Sequence, residues 1–486
     1  MSISRTVRVI TALCGAGLAI PASLQAETLA DAVALAYQSN PTLQGQRASQ
    51  RALDESFVQA QAGYRPSASI QATVTTDKNN QAMTSPQQVF TPPDLQTSMA
   101  TLTVTQPIYT GGLVASQVTA AEAGVLAGRE GLRQVEETVL QNVIGAYVNV
   151  RKDQESLAIS QSDVTVLNRE LAETRARFEV GEITRTDVAE TEAQVAASEA
   201  QLSAAQAQLA SDRAAYAAVV GQNPRNLAPE PPLDRLLPSS IDQALDLAQR
   251  NNPQLRQADY KEQSSAAKVA EAKAHTRPTV DLRGSAGYTG GNLVGTPFAN
   301  YSYDLTASAV LTIPLFTGGL TSSQIREAAE NDNADRIAIE TTRRQVVLAV
   351  AQAWNQLLGA RAGLKSNEVQ VRAANIAFEG TRQEAQVGLR TTLDVLITEQ
   401  NLSNAELALV GARHDEYVAA AALLVAMGAL YAQDLASGTP VYDPKTNFDK
   451  VRHSYPWAPW EHAVAAVDSV GAPSVEPPPP PAPIGR

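Results

Sequence analysis

Cysteine, aromatic residues and long apolar runs are all scarce in this chain, and each scarcity excludes something. The only cysteine among 486 residues is Cys14. It sits in an apolar run from Val9 to Ile20 that follows Arg5 and Arg8 and leads through Pro21 to Leu24-Gln25-Ala26. That pattern predicts an export signal over 1–26, cleaved after Ala26 to leave 460 residues. Leu13 before Cys14 is a poor match to the small residue of a bacterial lipidation signal, so no lipid anchor is expected. A mature chain without cysteine forms no disulfide and performs no thiol chemistry. Aromatic residues make up 5% of the sequence, too few for several large compact cores, and an extended or repetitive architecture suits the length better. Beyond the signal no apolar run reaches 18 residues; the longest, Val418 to Leu430, has 13 and suits a buried helix end. Basic excess is also missing. Lys and Arg number 38 against 50 Asp and Glu, a net charge of -12 that argues against a nucleic-acid partner. His275, His414, His453 and His462 have no metal-ligand spacing, and no phosphate loop, nucleophile elbow or acid-base pair appears. The chain therefore reads as a non-enzyme, with no cofactor and no metal.

What is present is a tandem duplication. Thr28 to Leu43 matches Ser240 to Leu255 at an offset of 212, and Arg65-Pro66 recurs at that offset as Arg277-Pro278. The offset then becomes 207: Pro107-Ile108-Tyr109-Thr110-Gly111-Gly112 returns as Pro314-Leu315-Phe316-Thr317-Gly318-Gly319, and Val180-Gly181 as Val387-Gly388. The change places a net five-residue deletion between Pro278 and Pro314, where a hairpin tip tolerates it. The reading gives repeat 1 over 27–224, a linker over 225–239 and repeat 2 over 240–430. A periplasmic C-terminal segment over 431–475 and a disordered Pro-rich tail over 476–486 follow.

Each repeat carries a long heptad-patterned stretch. Val118, Val125, Leu132 and Val139 are seven apart; a step of four resets the frame to Val143, Val150, Leu157, Val164, Leu171 and Phe178. Repeat 2 copies this from Ile325 to Phe378 with Asp332 as its break. Heptads make coiled-coil seams, and an inserted four is a stutter. Leu113 to Glu179 is 67 residues, roughly 100 Å of helix at about 1.5 Å per residue. The flanking helical stretches, about 40–64 and 184–221, sum to nearly the same length, so they can stack end to end beside it.

Between the helices the period changes to two, predicting hairpins at about 67–107 and 279–314. Ile70, Ala72 and Val74 alternate with Gln71, Thr73 and Thr75, and Tyr303, Leu305 and Ala307 alternate with Asp304, Thr306 and Ser308. Strands of about ten residues with one apolar and one polar face suit a transmembrane barrel. Four strands cannot close one, and open edges are not tolerated in lipid, so the chain must oligomerise. Eight, twelve or sixteen strands would result from two, three or four copies.

These residues resemble the TolC family of outer-membrane channel proteins over about 28–430. The resemblance rests on the duplication, the paired Arg-Pro elements Arg65-Pro66 and Arg277-Pro278, and the paired junctions carrying Pro107, Gly111, Gly112, Pro314, Gly318 and Gly319. It rests also on Val-Gly-x-x-Thr-x-x-Asp-Val at both helical turns, from Val180 to Val188 and from Val387 to Val395. It implies an α+β membrane protein: a tandem-repeat protomer of long coiled-coil helices plus four transmembrane strands, assembling as a homotrimer with a 12-stranded β-barrel and a 12-helix periplasmic α-barrel. The implied function is the outer-membrane exit duct of tripartite efflux pumps or type I secretion systems, partnered by a periplasmic adaptor, an inner-membrane RND or ABC transporter and outer-membrane lipid.

At the junctions, Pro107 and Pro314 are expected to end the strand ladder, and the paired glycines to turn the chain. At the tips, Gly181 and Gly388 end the long helices, Thr184 and Thr391 cap the next ones, and Asp187 and Asp394 lie at positive helix ends. The resemblance further implies that the tips, with Val180, Gly181, Thr184, Val188, Val387, Gly388, Thr391 and Val395, dock the adaptor. It makes Asp394, with Asp187, part of an aperture ring and Arg390 part of its closed-state latch. Ile397 and Ala385 depart from the family's acidic and tyrosine positions, so the latch differs in detail.

Two rival readings stand beside the duct. A periplasmic adaptor would carry one hairpin and a split lipoyl-like domain; a structural coiled-coil trimer would need no strands with an apolar face. Cargo is not encoded in the loops at about 77–98 and 289–300. The acidic balance predicts a tunnel that prefers cations.

Overall fold

The computed structural model describes residues 26–77, 83–85, 88–90, 95–291, 301–454, 458–470 and 473. The export signal up to residue 25, Trp457, the Pro-rich segment 476–486 and most of the two outer loops lie outside the described residues. In chain order the elements of repeat 1 are α1 (Leu29–Ser39), α2 (Pro41–Gln61), β1 (Ser67–Asp77), β2 (Met83–Ser85), β3 (Gln88–Phe90), β4 (Leu95–Tyr109), α3 (Leu113–Glu179) and α4 (Arg185–Val220). Repeat 2 supplies α5 (Ile241–Asn251), α6 (Pro253–Ala274), β5 (Thr279–Gly291), β6 (Tyr301–Thr312), α7 (Leu320–Gln386) and α8 (Thr392–Ala426). A tail follows with α9 (Ala432–Leu435), α10 (Pro444–Arg452) and α11 (Glu461–Asp468).

Both long helices have 67 residues. Beside each, two shorter helices lie end to end, joined by an asparagine that serves both. Asn40 caps α2, accepting from Thr42 N at 2.9 Å, while its Nδ2 donates to Val219 O near the C-terminus of α4 at 2.9 Å. Asn252 caps α6 in the same way and donates to Ala426 O at the end of α8 at 3.0 Å. One side chain thus satisfies orphan donors of one helix and an orphan acceptor of the other.

The largest core lies where the heptad frame of α3 is reset. Val139, Leu140, Val143, Ile144, Tyr147, Val148 and Val150 are all buried there. A stutter turns two successive faces inward, and that broad apolar surface takes up α1, α4, α7, α8 and the segment 225–239. That segment is stitched in place rather than left as a tether: Tyr147 Oη lies 2.6 Å from Ala228 O, Leu227 bridges Glu27, and Leu233 is buried.

The strands form one antiparallel sheet in the order β1-β4-β5-β6, with β2 and β3 as a small separate hairpin. Register puts like with like. Ile70, Leu102, Ala286 and Leu305 form one row across all four strands, and Gln71, Thr101, Gly287 and Asp304 form the next. The sheet therefore has one apolar and one polar face, and the apolar side chains stand bare, Ile70 being 75% and Leu305 77% exposed. β1 and β6 are open edges. No helix among the described residues is long and apolar enough to cross a membrane.

Pro107 does not end its ladder, contrary to the sequence expectation. β4 runs on to Tyr109, with a register shift between Pro107 and Tyr109 opposite Asp281 and Val280. The ring cannot donate, and a bulge absorbs the lost hydrogen bond so that pairing resumes. Pro314 behaves differently, lying two residues beyond the end of β6.

Candidate functional site

The two periplasmic tips are built alike. Phe178 O accepts from Gly181 N at 3.0 Å and Arg177 O from Glu182 N at 3.0 Å; Ala385 and Glu384 serve Gly388 and Leu389 in the same way. Gly181 and Gly388 both have φ of 79°, left-handed backbone that only glycine adopts without strain. Thr184 and Asp187 then form a reciprocal capping box at the start of α4, and Thr391 and Asp394 an identical one at the start of α8. Asp394 Oδ2 accepts from Thr391 N at 3.0 Å and Thr391 Oγ1 at 2.8 Å. These hydrogen bonds, backbone first, hold the exposed Asp394 carboxyl below the usual carboxylate range, and Thr184 does the same for Asp187. Both aspartates are therefore anionic at neutral pH. Arg390 reaches Glu384 at 2.9 Å, not Asp394.

The hairpins lie side by side. Leu167 and Leu171 of α3 pack with Val195 of α4 and Leu396 of α8, with Val188 beside them, and Gln194 hydrogen-bonds Gln400. Val395 packs on Phe378 and Ala385. Val180, Val387 and Leu389 remain exposed at the very ends, forming an apolar tip bounded by charged groups.

Above the tips, α3 and α8 bury two carboxyl groups against each other. Asp163 and Glu399 share a hydrogen bond, and both are buried. Burial first, then the hydrogen bond with Asp163 and after it the Asp163 charge, pushes Glu399 up to about 9, so the pair holds one proton at neutral pH. Nothing in the sequence marks them, because single acids in a heptad pattern ordinarily face water and these two lie 236 positions apart.

At the strand-to-helix junctions, Arg277 Nη1 donates to Gly111 O at 3.0 Å, joining repeat 2 to repeat 1. Pro278 O lies 3.4 Å from where a Gly111 β-carbon would sit. Gly112 gives α3 no side-chain cap, and the fully buried Asp468 of α11 supplies one from the tail. Asp468 Oδ1 accepts from Thr110 N at 2.7 Å and Gly112 N at 3.1 Å; Oδ2 accepts from Ala115 N at 3.2 Å. A carboxylate here satisfies first-turn donors and faces the positive end of the helix. Arg65 forms a forked ion pair with Glu461 at 3.0 and 3.2 Å, and Pro66 follows at the entry to β1. The junction of Pro314, Gly318 and Gly319 is bare: nothing lies within 4 Å of a β-carbon built at either glycine. Asp468 and Glu461 were missed because a lone acid in a short tail helix carries no periodic signal. Among the described residues no cluster of three or more His, Cys, Asp or Glu could hold a metal.

The family described as "Outer membrane efflux protein" matches residues 32–222 and 244–429, one stretch per repeat. The chain belongs to that family. It is 33% identical over 431 residues to the outer membrane efflux protein BepC of Brucella suis biovar 1, covering 88% of this chain and 91% of that protein. It is 26% identical over 426 residues to the outer membrane protein TolC of Vibrio cholerae, covering 86% and 94%. The fold is similar to the crystal structure of VceC from Vibrio cholerae, with a TM-score of 0.69 at 23% identity over 82% of this chain and 96% of that one. As a member of the outer membrane efflux protein family, the chain is an outer-membrane export channel, and the TolC resemblance seen in its motifs holds over both repeats.

Proposed function

We propose that three copies join edge to edge, β6 of one pairing with β1 of the next, into one twelve-stranded barrel continued by a helical tunnel. This assembly is the exit duct of a tripartite system, receiving drugs or secreted protein from an inner-membrane RND or ABC transporter through a periplasmic adaptor. The observation that carries it is the open sheet: its apolar rows run unbroken to both free edges, and neither edge can stay unpaired in lipid. The helices support the same closure. α3 packs against α2, α4, α6 and α8, whereas α7 packs against α5, α6 and α8 and leaves Ile337, Leu348 and Ile376 exposed. A neighbour's α2 and α4 fill that side, and a head-to-tail interface of this kind closes as a ring.

The apolar tips dock the adaptor's helical hairpin, and Asp394 from each copy, with Asp187 nearby, lines the aperture. Arg390 tethers the tip to its own long helix through Glu384. Cargo is chosen at the transporter rather than in the duct. The test is Asp394→Cys with Cys14→Ser, treated in outer membranes with a short thiol-to-thiol cross-linker. A cross-linked dimer that restores drug sensitivity supports an aperture at Asp394. Monomer alone, in properly inserted protein, removes Asp394 from the aperture.

A further inference from the structure

The duplication makes the protomer's internal seam a template for the seam between copies, and the tail completes it. Inside one chain, β4 pairs with β5, α3 packs on α6, and Arg277 Nη1 grips Gly111 O at 3.0 Å. The equivalent of Arg277 in repeat 1 is Arg65, 212 positions earlier, and the equivalent of Gly111 in repeat 2 is Gly318, 207 positions later. Those two lie at opposite edges of the sheet, beside β1 and β6, and cannot meet within one chain.

Three independent features point to their meeting across copies. Gly318 and Gly319 hold left-handed backbone with nothing near them, although the same turn in repeat 1 is filled by Arg277 and Asp468. Leu315 and Phe316, just before them, are 92% and 90% exposed, an apolar step at a place where one more surface is needed. Arg65 is already paired with an acid. Glu461 takes its Nε and Nη2, and among the described contacts Nη1, the atom by which Arg277 holds Gly111, has no partner.

We propose that Arg65 of one copy donates through Nη1 to the Gly318 carbonyl of the next, with Glu461 of the tail orienting its guanidinium. The tail helix α11, beyond the span matched by the family, thereby becomes part of the subunit seam as well as the cap of α3. Trp460, just before α11, and Val467, within it, are exposed apolar side chains available to cover the neighbour's Leu315 and Phe316. A forked Arg–carboxylate pair fixes a planar donor, so one remaining N–H group is delivered with little loss of rotamer freedom. This inference rests on the shared-barrel reading above.

The test places Arg65→Cys and Gly318→Cys in one chain with Cys14→Ser, and oxidises the protein in its membranes. A ladder of disulfide-linked dimers and trimers is the predicted result. The internal counterpart, Arg277→Cys with Gly111→Cys, closes within one chain and gives no ladder, since those β-carbons come within 2.9 Å. A lysine-reactive cross-linker run in parallel separates the two levels. Amine-linked trimers without a disulfide ladder overturn the seam and leave the shared barrel standing; amine-linked monomers alone overturn both. Because a side chain at Gly318 is strained, Arg65→Ala and Glu461→Gln supply the second measurement. Each should lower the temperature at which unboiled trimers separate in detergent, Arg65→Ala more than Glu461→Gln. Separation temperatures equal to the parent protein's overturn the proposal.

Discussion

Replacing Glu399 by glutamine removes the protonated member of the carboxyl pair that α3 and α8 bury together. Burial raises the Glu399 carboxyl from 4.5 to about 9, so the native state binds this proton more tightly than the unfolded chain does. Stability from this group is intact below about pH 4.5 and is lost progressively as pH rises toward about 9. Each pH unit in that window costs up to ~1.4 kcal/mol per copy, which sets a ceiling of ~4 kcal/mol at pH 7.5. Glutamine stays neutral and still offers Asp163 a donor. Glu399→Gln is therefore expected to stabilise the protein by about 2–4 kcal/mol per copy at pH 7.5 and by almost nothing at pH 4.5. Glu137, raised to about 8, and Asp153, raised to about 6, add their own slopes to both proteins, so the difference between the two profiles isolates Glu399. The assay is the thermal unfolding midpoint of detergent-solubilised protein at pH 5, 7 and 9. The two curves should diverge upward in pH. Parallel curves would refute the shared proton.

Three further outcomes follow from the same geometry. Gly428→Ala places a β-carbon 2.7 Å from Asn251 O at φ of +68° and is expected to cost about 3 kcal/mol or more, against about 1 kcal/mol for Gly181→Ala, where space is open; thermal unfolding compares the two. Asp468→Ala strips acceptors from Thr110 N, Gly112 N and Ala115 N, at about 1–3 kcal/mol for each donor left without a partner; amide exchange over residues 112–116 should quicken roughly 100-fold or more while the tips are unchanged. Reversal potentials in planar bilayers under a salt gradient should show cation preference, given the net charge of -12 and the anionic Asp187 and Asp394 at the tips; anion preference sinks the carboxylate-lined tunnel.

Local periodicity made most of the protomer readable, and what resisted reading depends on partners far away in sequence or on another copy. The heptads of α3 and the two-residue alternation of the strands are local properties, and a second copy of each in the same order leaves little freedom of interpretation. Heptads did not foretell burial, however. The matching seams of α3 and α7 end up unequally covered because α3 is flanked within its own chain and α7 sits at the protomer's edge. Pro107 misled because a proline ends a ladder only if no bulge absorbs it. At the tips, the capping pairs Thr184 with Asp187 and Thr391 with Asp394 were legible as a three-residue spacing. The buried pair Asp163 and Glu399, and the tail acids Glu461 and Asp468, were not, since their meaning lies in contacts spanning hundreds of positions.

Four strands from each chain combine into one shared pore. Single-particle imaging of the full-length protein in lipid nanodiscs tests it most directly. The expected image is a three-fold particle with one twelve-stranded barrel in the disc and a tapered helical tunnel projecting roughly 100 Å from it, as the 67-residue helices require. Separate barrels in each copy, or a symmetry other than three-fold, would contradict it.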